Sequence, residues 1–247
     1  MDIDSYLLTA LIFAAALLYS SVGHAGASGY LAAMALFGVA PEVMKPAALA
    51  LNILVAVIAT TKFYRVGAFS WPLFWPLALA STPLAYLGGL LTLPSHLYKP
   101  LVGLVLLYAA WRSFRTATAP LSVKHQQPHV AVLLLIGGGL GFLSGLIGVG
   151  GGIFLSPLLL FNRWANIKVI SGIAAAFILV NSSAGFLGVL SKSPTLPEAL
   201  PLWVIVVVLG GLIGSELGSR RLANPIIQKL LSLVLVIAGV KMMLTLW

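Results

Sequence analysis

The chain has no cysteine among its 247 residues. That excludes disulfides, thiolate nucleophiles and thiolate metal sites. Acidic side chains number only 5 and histidines only 4, and no His-x-x-His or His-Glu-x-x-His pattern occurs. No metal or other cofactor is therefore expected. Charged residues make up 8% of the chain, against roughly a quarter in a soluble domain, so a soluble fold of this length is excluded. A transmembrane β-barrel is excluded as well, because segments of about ten residues alternating apolar and polar are missing.

What remains is strongly apolar. Hydrophobic residues account for 60% of the sequence and the mean hydropathy is +1.08. The class is an all-α polytopic membrane protein. The first apolar stretch is preceded by Asp2 and Asp4 and by no Lys or Arg; lacking the positive region of a secretory signal, it is expected to stay as a membrane segment. The net charge is +9, from 14 basic and 5 acidic residues. The basic residues cluster between apolar spans, which points to membrane orientation and not to nucleic acid. Their field would also favour anionic substrates.

Apolar segments lie near 6–22, 26–38, 46–64, 71–92, 97–111, 130–147, 151–162, 168–190, 199–218 and 225–246. A straight span needs about 20 residues, so 26–38 and 151–162 are too short to cross alone, and each follows a glycine cluster. If all ten segments change side, nine basic residues (Lys62, Arg65, Arg112, Arg115, Lys124, Arg163, Lys168, Arg220, Arg221) face one side and four (Lys45, Lys99, Lys192, Lys241) the other. If the two short segments re-enter, giving eight crossings, the charges divide more evenly. The positive-inside rule thus favours ten segments with both termini outside the cytoplasm.

The chain also aligns with itself. Residues 148–160 (GVGGGIFLSPLLL) lie over 23–36 (GHAGASGYLAAMAL), Glu42–Lys45 over Ala165–Lys168, Leu87–Leu90 over Leu209–Leu212, and Leu101–Arg112 over Leu230–Lys241. The expected organisation is one transmembrane domain, with a first repeat over 1–111, a cytoplasmic linker over 112–129 and a second repeat over 130–247. Five segments per half, an odd number, would invert one half relative to the other, a common transporter architecture with its site at the repeat interface.

The stretch Gly141–Pro157 (GFLSGLIGVGGGIFLSP) carries the chemistry. Breaks in apolar helices are tolerated only where they are buried in protein or line a polar cavity. A helix starting just after a glycine run leaves its first N–H groups without partners. An anion can then approach those groups closely, aided by the helix dipole. The candidate donors are Gly150, Gly151 and Gly152 in the second half, and Gly26, Ala27, Ser28 and Gly29 in the first. Helix packing through small residues is the competing explanation. His24, beside the first cluster, could bind an anion as imidazolium or carry a coupled proton, or simply bond the broken backbone. Asn52, Asn181, Ser182 and Ser183 lie inside the segments that follow the short ones and are expected to wall the same cavity. Lys45 and Lys168 would sit at equivalent interfacial positions, snorkelling or drawing anions to a vestibule. Glu216, the one carboxylate within an apolar span, is expected to pair with Arg220 one turn later.

The 141–160 stretch closely resembles the glycine-rich motif of the TauE/SafE sulfite-exporter family, also called the sulfonate uptake permease family. The first-half copy and the Leu-Gly-Gly element are similar to that family's duplicated pattern, and the resemblance covers essentially the whole chain. The first copy departs from it, with His24, Ala25, Ala27 and Ser28 where a purer glycine run is usual. The resemblance implies a transporter in a bacterial or archaeal cytoplasmic membrane, in contact with lipid and open to homo-oligomer formation. Its substrates would be small sulfur anions such as sulfite, sulfoacetate or other organosulfonates. No ATP motif is present, so a substrate, proton or other ion gradient would drive it. An anion channel, or a carrier of another small organic anion, shares these features. An enzyme would need a nucleophile, base or metal constellation, and none is seen.

Overall fold

The computed structural model describes residues 3–116, 128–192, 195–220 and 225–244. These form ten helices and, among the described residues, no strand: α1 (Ile3–Ser20), α2 (Ala27–Leu36), α3 (Pro41–Arg65), α4 (Trp71–Leu90), α5 (Ser95–Thr116), α6 (Val130–Ile147), α7 (Gly152–Phe161), α8 (Ile167–Leu190), α9 (Leu200–Arg220) and α10 (Pro225–Leu244). Every apolar segment read from the sequence is one helix. Six of them (α1, α3, α4, α6, α8 and α9) are long and apolar enough to cross a membrane. Most of the expected linker, 117–127, lies outside the described residues, although α5 runs on to Thr116.

Glycines set the closest helix contacts. On α6, Gly137, Gly141 and Gly145 lie four residues apart, against Leu77, Ser81 and Ala85 of α4. On α9, Gly210, Gly214 and Gly218 do the same against Phe13 and Leu17 of α1 and Ser21 just past its end. A methyl group at Gly141, Gly145, Gly214 or Gly218 would overlap the facing carbonyl. Small residues at this spacing let two backbones touch, the main source of packing where lipid removes the hydrophobic drive. Both pairs run parallel. The outer elements α5 and α10 meet antiparallel, with Gly103 against Gly239, while α3 and α8 pack on one another in the centre.

These contacts give each helix end a side. Lys45 near the start of α3, the end of α4 and the end of α6 meet at one face, with Tyr98 at the start of α5. The ends of α1, α3 and α9 and the start of α8 meet at the other. We call them the terminal face, where α1 begins and α10 ends, and the linker face, where α5 ends and α6 begins. Successive helices run in alternate directions between these two faces. A ten-residue helix is about 15 Å long, half of a hydrocarbon core of about 30 Å.

The register of the Leu-Gly-Gly element differs from the alignment by eye. Gly88 and Gly89 end α4, whereas Gly210 and Gly211 lie at the middle of α9. The Glu216 carboxylate pairs with Lys62 of α3, both about a third exposed, which ties α9 to α3 at the linker face. The Arg220 side chain lies outside the described residues.

Candidate functional site

Both breaks are built from left-handed glycines. Gly23 and Gly26 have φ of 76° and 115°, and Gly148, Gly150 and Gly151 have φ of 90°, 78° and 80°. Other residues rarely adopt such angles, which explains the glycine spacing. Gly26 is the N-cap of α2 and Gly151 that of α7, neither with a side-chain cap. The first intrahelical bonds run from Tyr30 N to Gly26 O and from Phe154 and Leu155 N to Gly151 O. The N–H groups of Ala27, Ser28 and Gly29, and of Gly152 and Ile153, precede them and have no carbonyl one turn back.

The two N-termini are brought together by His24. Its Nε2 lies 3.2 Å from the Gly152 carbonyl and 3.2 Å from Ser156 Oγ, and its Nδ1 is 3.2 Å from the Val22 carbonyl. A residue of the first break thus touches the first turn of α7. From this point α2 runs to the terminal face, where Lys241 donates to the carbonyl of Leu36, and α7 runs to the linker face. Two helix dipoles therefore start side by side and point apart, with their positive ends at the same depth.

Side chains from the central helices close around the second break. Asn52, twelfth of the 25 residues of α3, is fully buried. It donates from Nδ2 to the Val149 carbonyl at 3.4 Å and to Ser182 Oγ at 3.3 Å. A methyl group at Gly150 would lie 2.7 Å from Asn52 Nδ2, 2.8 Å from Ile178 Cγ2 and 3.0 Å from Ser182 Oγ. Asn181 is also fully buried. It sits one turn before Gly185, on the face that meets Gly145 and Ala85. Ser183, about 100° round the helix from Ser182, is half-buried and is not brought to the break.

Several buried polar atoms here have no protein partner: Tyr19 Oη, Asn52 Oδ1, Ser144 Oγ and both amide atoms of Asn181. Tyr19 lies edge-on to His24 and beside the Ser28 hydroxyl, without a well-formed hydrogen bond to it. Ser144 Cβ is 3.4 Å from where a methyl group on Gly151 would sit. Tyr19 and Ser144 were not singled out from the sequence. The signal was positional: each stands four residues before a left-handed glycine, Gly23 and Gly148. Tyr30 Oη, by contrast, is used within the first break, donating to the Ala25 carbonyl at 2.7 Å.

Lys45 plays a different part from the one expected. It is buried, and Nζ donates to the carbonyls of Gly88, Gly89 and Leu91 at 3.2, 3.1 and 2.9 Å. An ammonium has three protons, so this group is spent on capping the C-terminus of α4, where the dipole favours a cation. Its stem packs under Gly148. Tyr98 Oη caps α6 in a similar way, 2.9 Å from the Ile147 carbonyl. Lys168 is exposed, so the two lysines are not equivalent. A cleft of about 220 Å³ opens beside Lys45 on the terminal face, lined by Glu42, Lys192 and Thr195 among others.

The whole chain was compared with known proteins. The description "Sulfite exporter TauE/SafE" matches residues 8–242. A "Probable membrane transporter protein y4hK" of Sinorhizobium fredii (strain NBRC 101917 / NGR234) is 39% identical over 246 residues, covering 98% of this chain and all of the relative. No solved structure matches. With a match that runs almost end to end and includes both glycine breaks, this multi-pass membrane protein belongs to the sulfite exporter TauE/SafE family of membrane transporters.

Proposed function

We propose that the protein is a secondary transporter that carries a small sulfur-containing anion, such as sulfite or an organosulfonate, across a bacterial or archaeal cytoplasmic membrane. The observation that carries this reading is the meeting of the α2 and α7 N-termini at one buried depth, with no carboxylate among the side chains around them. Backbone N–H groups and dipole ends suit an oxyanion and avoid the desolvation cost of a buried cationic side chain. The remaining coordination would come from Ser28, His24, Asn52, Asn181 and Ser182.

Gly23, Gly26 and Gly148 through Gly152 are buried, so the breaks lie within the protein and not against lipid. The most extensive helix contacts pair off as an inverted repeat would require: α1 on α9 as α6 on α4, and α3 on α9 as α8 on α4. α3 meets α8, and α5 meets α10, across the same axis. Alternating access would then be a rocking of the α1–α9 pair against the α4–α6 pair about the site. The linker face, richer in Lys and Arg, would be cytoplasmic. The membrane potential alone favours anion export by about 2.3 kcal/mol per charge per 100 mV.

The test is flux in proteoliposomes, with sulfite, sulfate, thiosulfate, sulfoacetate, taurine and chloride as candidates. Saturable uptake of one sulfur anion, with counterflow against a trans load and loss in Gly151→Ala, is the expected result. Uptake without saturation or counterflow would make the protein a channel. No response to any sulfur anion would remove the substrate class.

A further inference from the structure

The unpartnered polar atoms around the breaks are not all of one kind, and this bears on what the anion must carry. The inference rests on the site proposed above. Tyr19 and Ser144 occupy matching places, each seven residues before the N-cap glycine of a half-helix (Gly26 and Gly151), and both hydroxyls are buried without a partner. A hydroxyl can donate to an oxyanion. The matching pair therefore extends the donor set of the two helix ends symmetrically.

Asn52 breaks the symmetry. The carbonyl of Val149 fixes its orientation, because only the amide nitrogen can face that oxygen. Oδ1 is then an acceptor, fully buried and unpartnered, on a side chain in contact with the second break. Leaving a buried acceptor unmade is costly, while pairing it restores what desolvation took away. An anion whose outer atoms are all acceptors cannot pair it and would face its negative end. An anion carrying one O–H or N–H can satisfy the acceptor while its oxygens take the N–H groups and hydroxyls.

We infer that the site selects monoanions bearing a single hydrogen-bond donor, such as hydrogensulfite or a hydroxy-substituted alkylsulfonate, over acceptor-only anions such as sulfate or simple alkylsulfonates. Asn52 is the residue that reads the donor.

The experiment compares isethionate with 1-propanesulfonate by calorimetric titration of the purified protein in detergent. The two have the same number of heavy atoms and charge, and differ by a hydroxyl in place of a methyl. Isethionate should bind at least about tenfold more tightly, since a site built to bond a donor rejects the analogue that lacks it. In Asn52→Leu the two should bind within about twofold of each other. Equal affinities for the wild-type protein overturn the inference, and need no variant to fold. A preference that survives intact in Asn52→Leu also overturns it, by moving the acceptor elsewhere. Failure of both sulfonates and of hydrogensulfite to bind would instead sink the sulfur-anion site itself.

Discussion

Replacing Gly150 by alanine separates two things the second break demands of its glycines, backbone conformation and space. The control is Gly38→Ala. Gly38 has φ of 70° in the exposed turn between α2 and α3, with nothing within 4 Å of an added methyl group. It should lose only the cost of a left-handed alanine, about 1–2 kcal/mol. Gly150, at φ 78°, meets the same strain. Its methyl group also falls 2.7 Å from Asn52 Nδ2 and 3.0 Å from Ser182 Oγ, against a well-packed Ile178. Overpacking of this kind adds about 1–3 kcal/mol, so Gly150→Ala should lose about 2–5 kcal/mol in all. Thermal unfolding followed by the fluorescence of the 6 tryptophans ranks the two, and sulfite flux in proteoliposomes gives the functional arm. Gly38→Ala should transport like the wild type. Gly150→Ala should lose transport even below its melting range, because the methyl group displaces the two side chains placed around the anion. Equal melting losses with full transport in Gly150→Ala would refute the argument that the space beside Gly150 is part of the site.

Two further substitutions probe the frame. On α6, Gly139→Ala points into open space and should stabilise by about 0.5–1 kcal/mol through helix propensity, whereas Gly145→Ala drives a methyl group into the Ala85 carbonyl and should cost about 3 kcal/mol or more; melting of the two proteins side by side checks the opposite signs. Lys45→Met keeps the stem under Gly148 but leaves the Gly88, Gly89 and Leu91 carbonyls without their donor, so a loss of about 2–3 kcal/mol is expected. Lys45→Arg should rescue it poorly, since a planar fork does not reproduce three converging bonds; an unchanged melting temperature in Lys45→Met would show that the cap contributes nothing.

The sequence made the helices legible because each is a continuous apolar run, and made the breaks legible because a glycine run inside such a run has few other uses. It pointed to Asn52 and Ser182, which meet each other beside the second break, for a physical reason: uncharged polar residues deep in apolar helices must find a buried partner. The failures lie where partners are distant in sequence. Glu216 finds Lys62, 154 positions away. Lys45 meets the end of α4, which neither periodicity nor charge could announce. The Leu-Gly-Gly alignment matched letters, but the glycine stripes that pack α4–α6 and α1–α9 sit on non-corresponding partners: α6 supplies one and α9 the other. Identical contacts made by exchanged residues leave little trace in a self-alignment.

Those two stripes also decide which parts of the molecule can move. Where bare backbone lies on backbone at every fourth residue, a slip of one residue would push side chains into carbonyls. Neither α4–α6 nor α1–α9 can therefore slide or roll, and each behaves as a welded beam running the depth of the membrane. Any relative displacement must then be taken up between the beams: at the side-chain contacts of α3 with α8, at the single Gly103–Gly239 crossing of α5 with α10, and at the hinge-like glycines that begin α2 and α7. The compliant elements of the fold are thus the ones that would hold the proposed site, and the stiff ones are levers on either side of it.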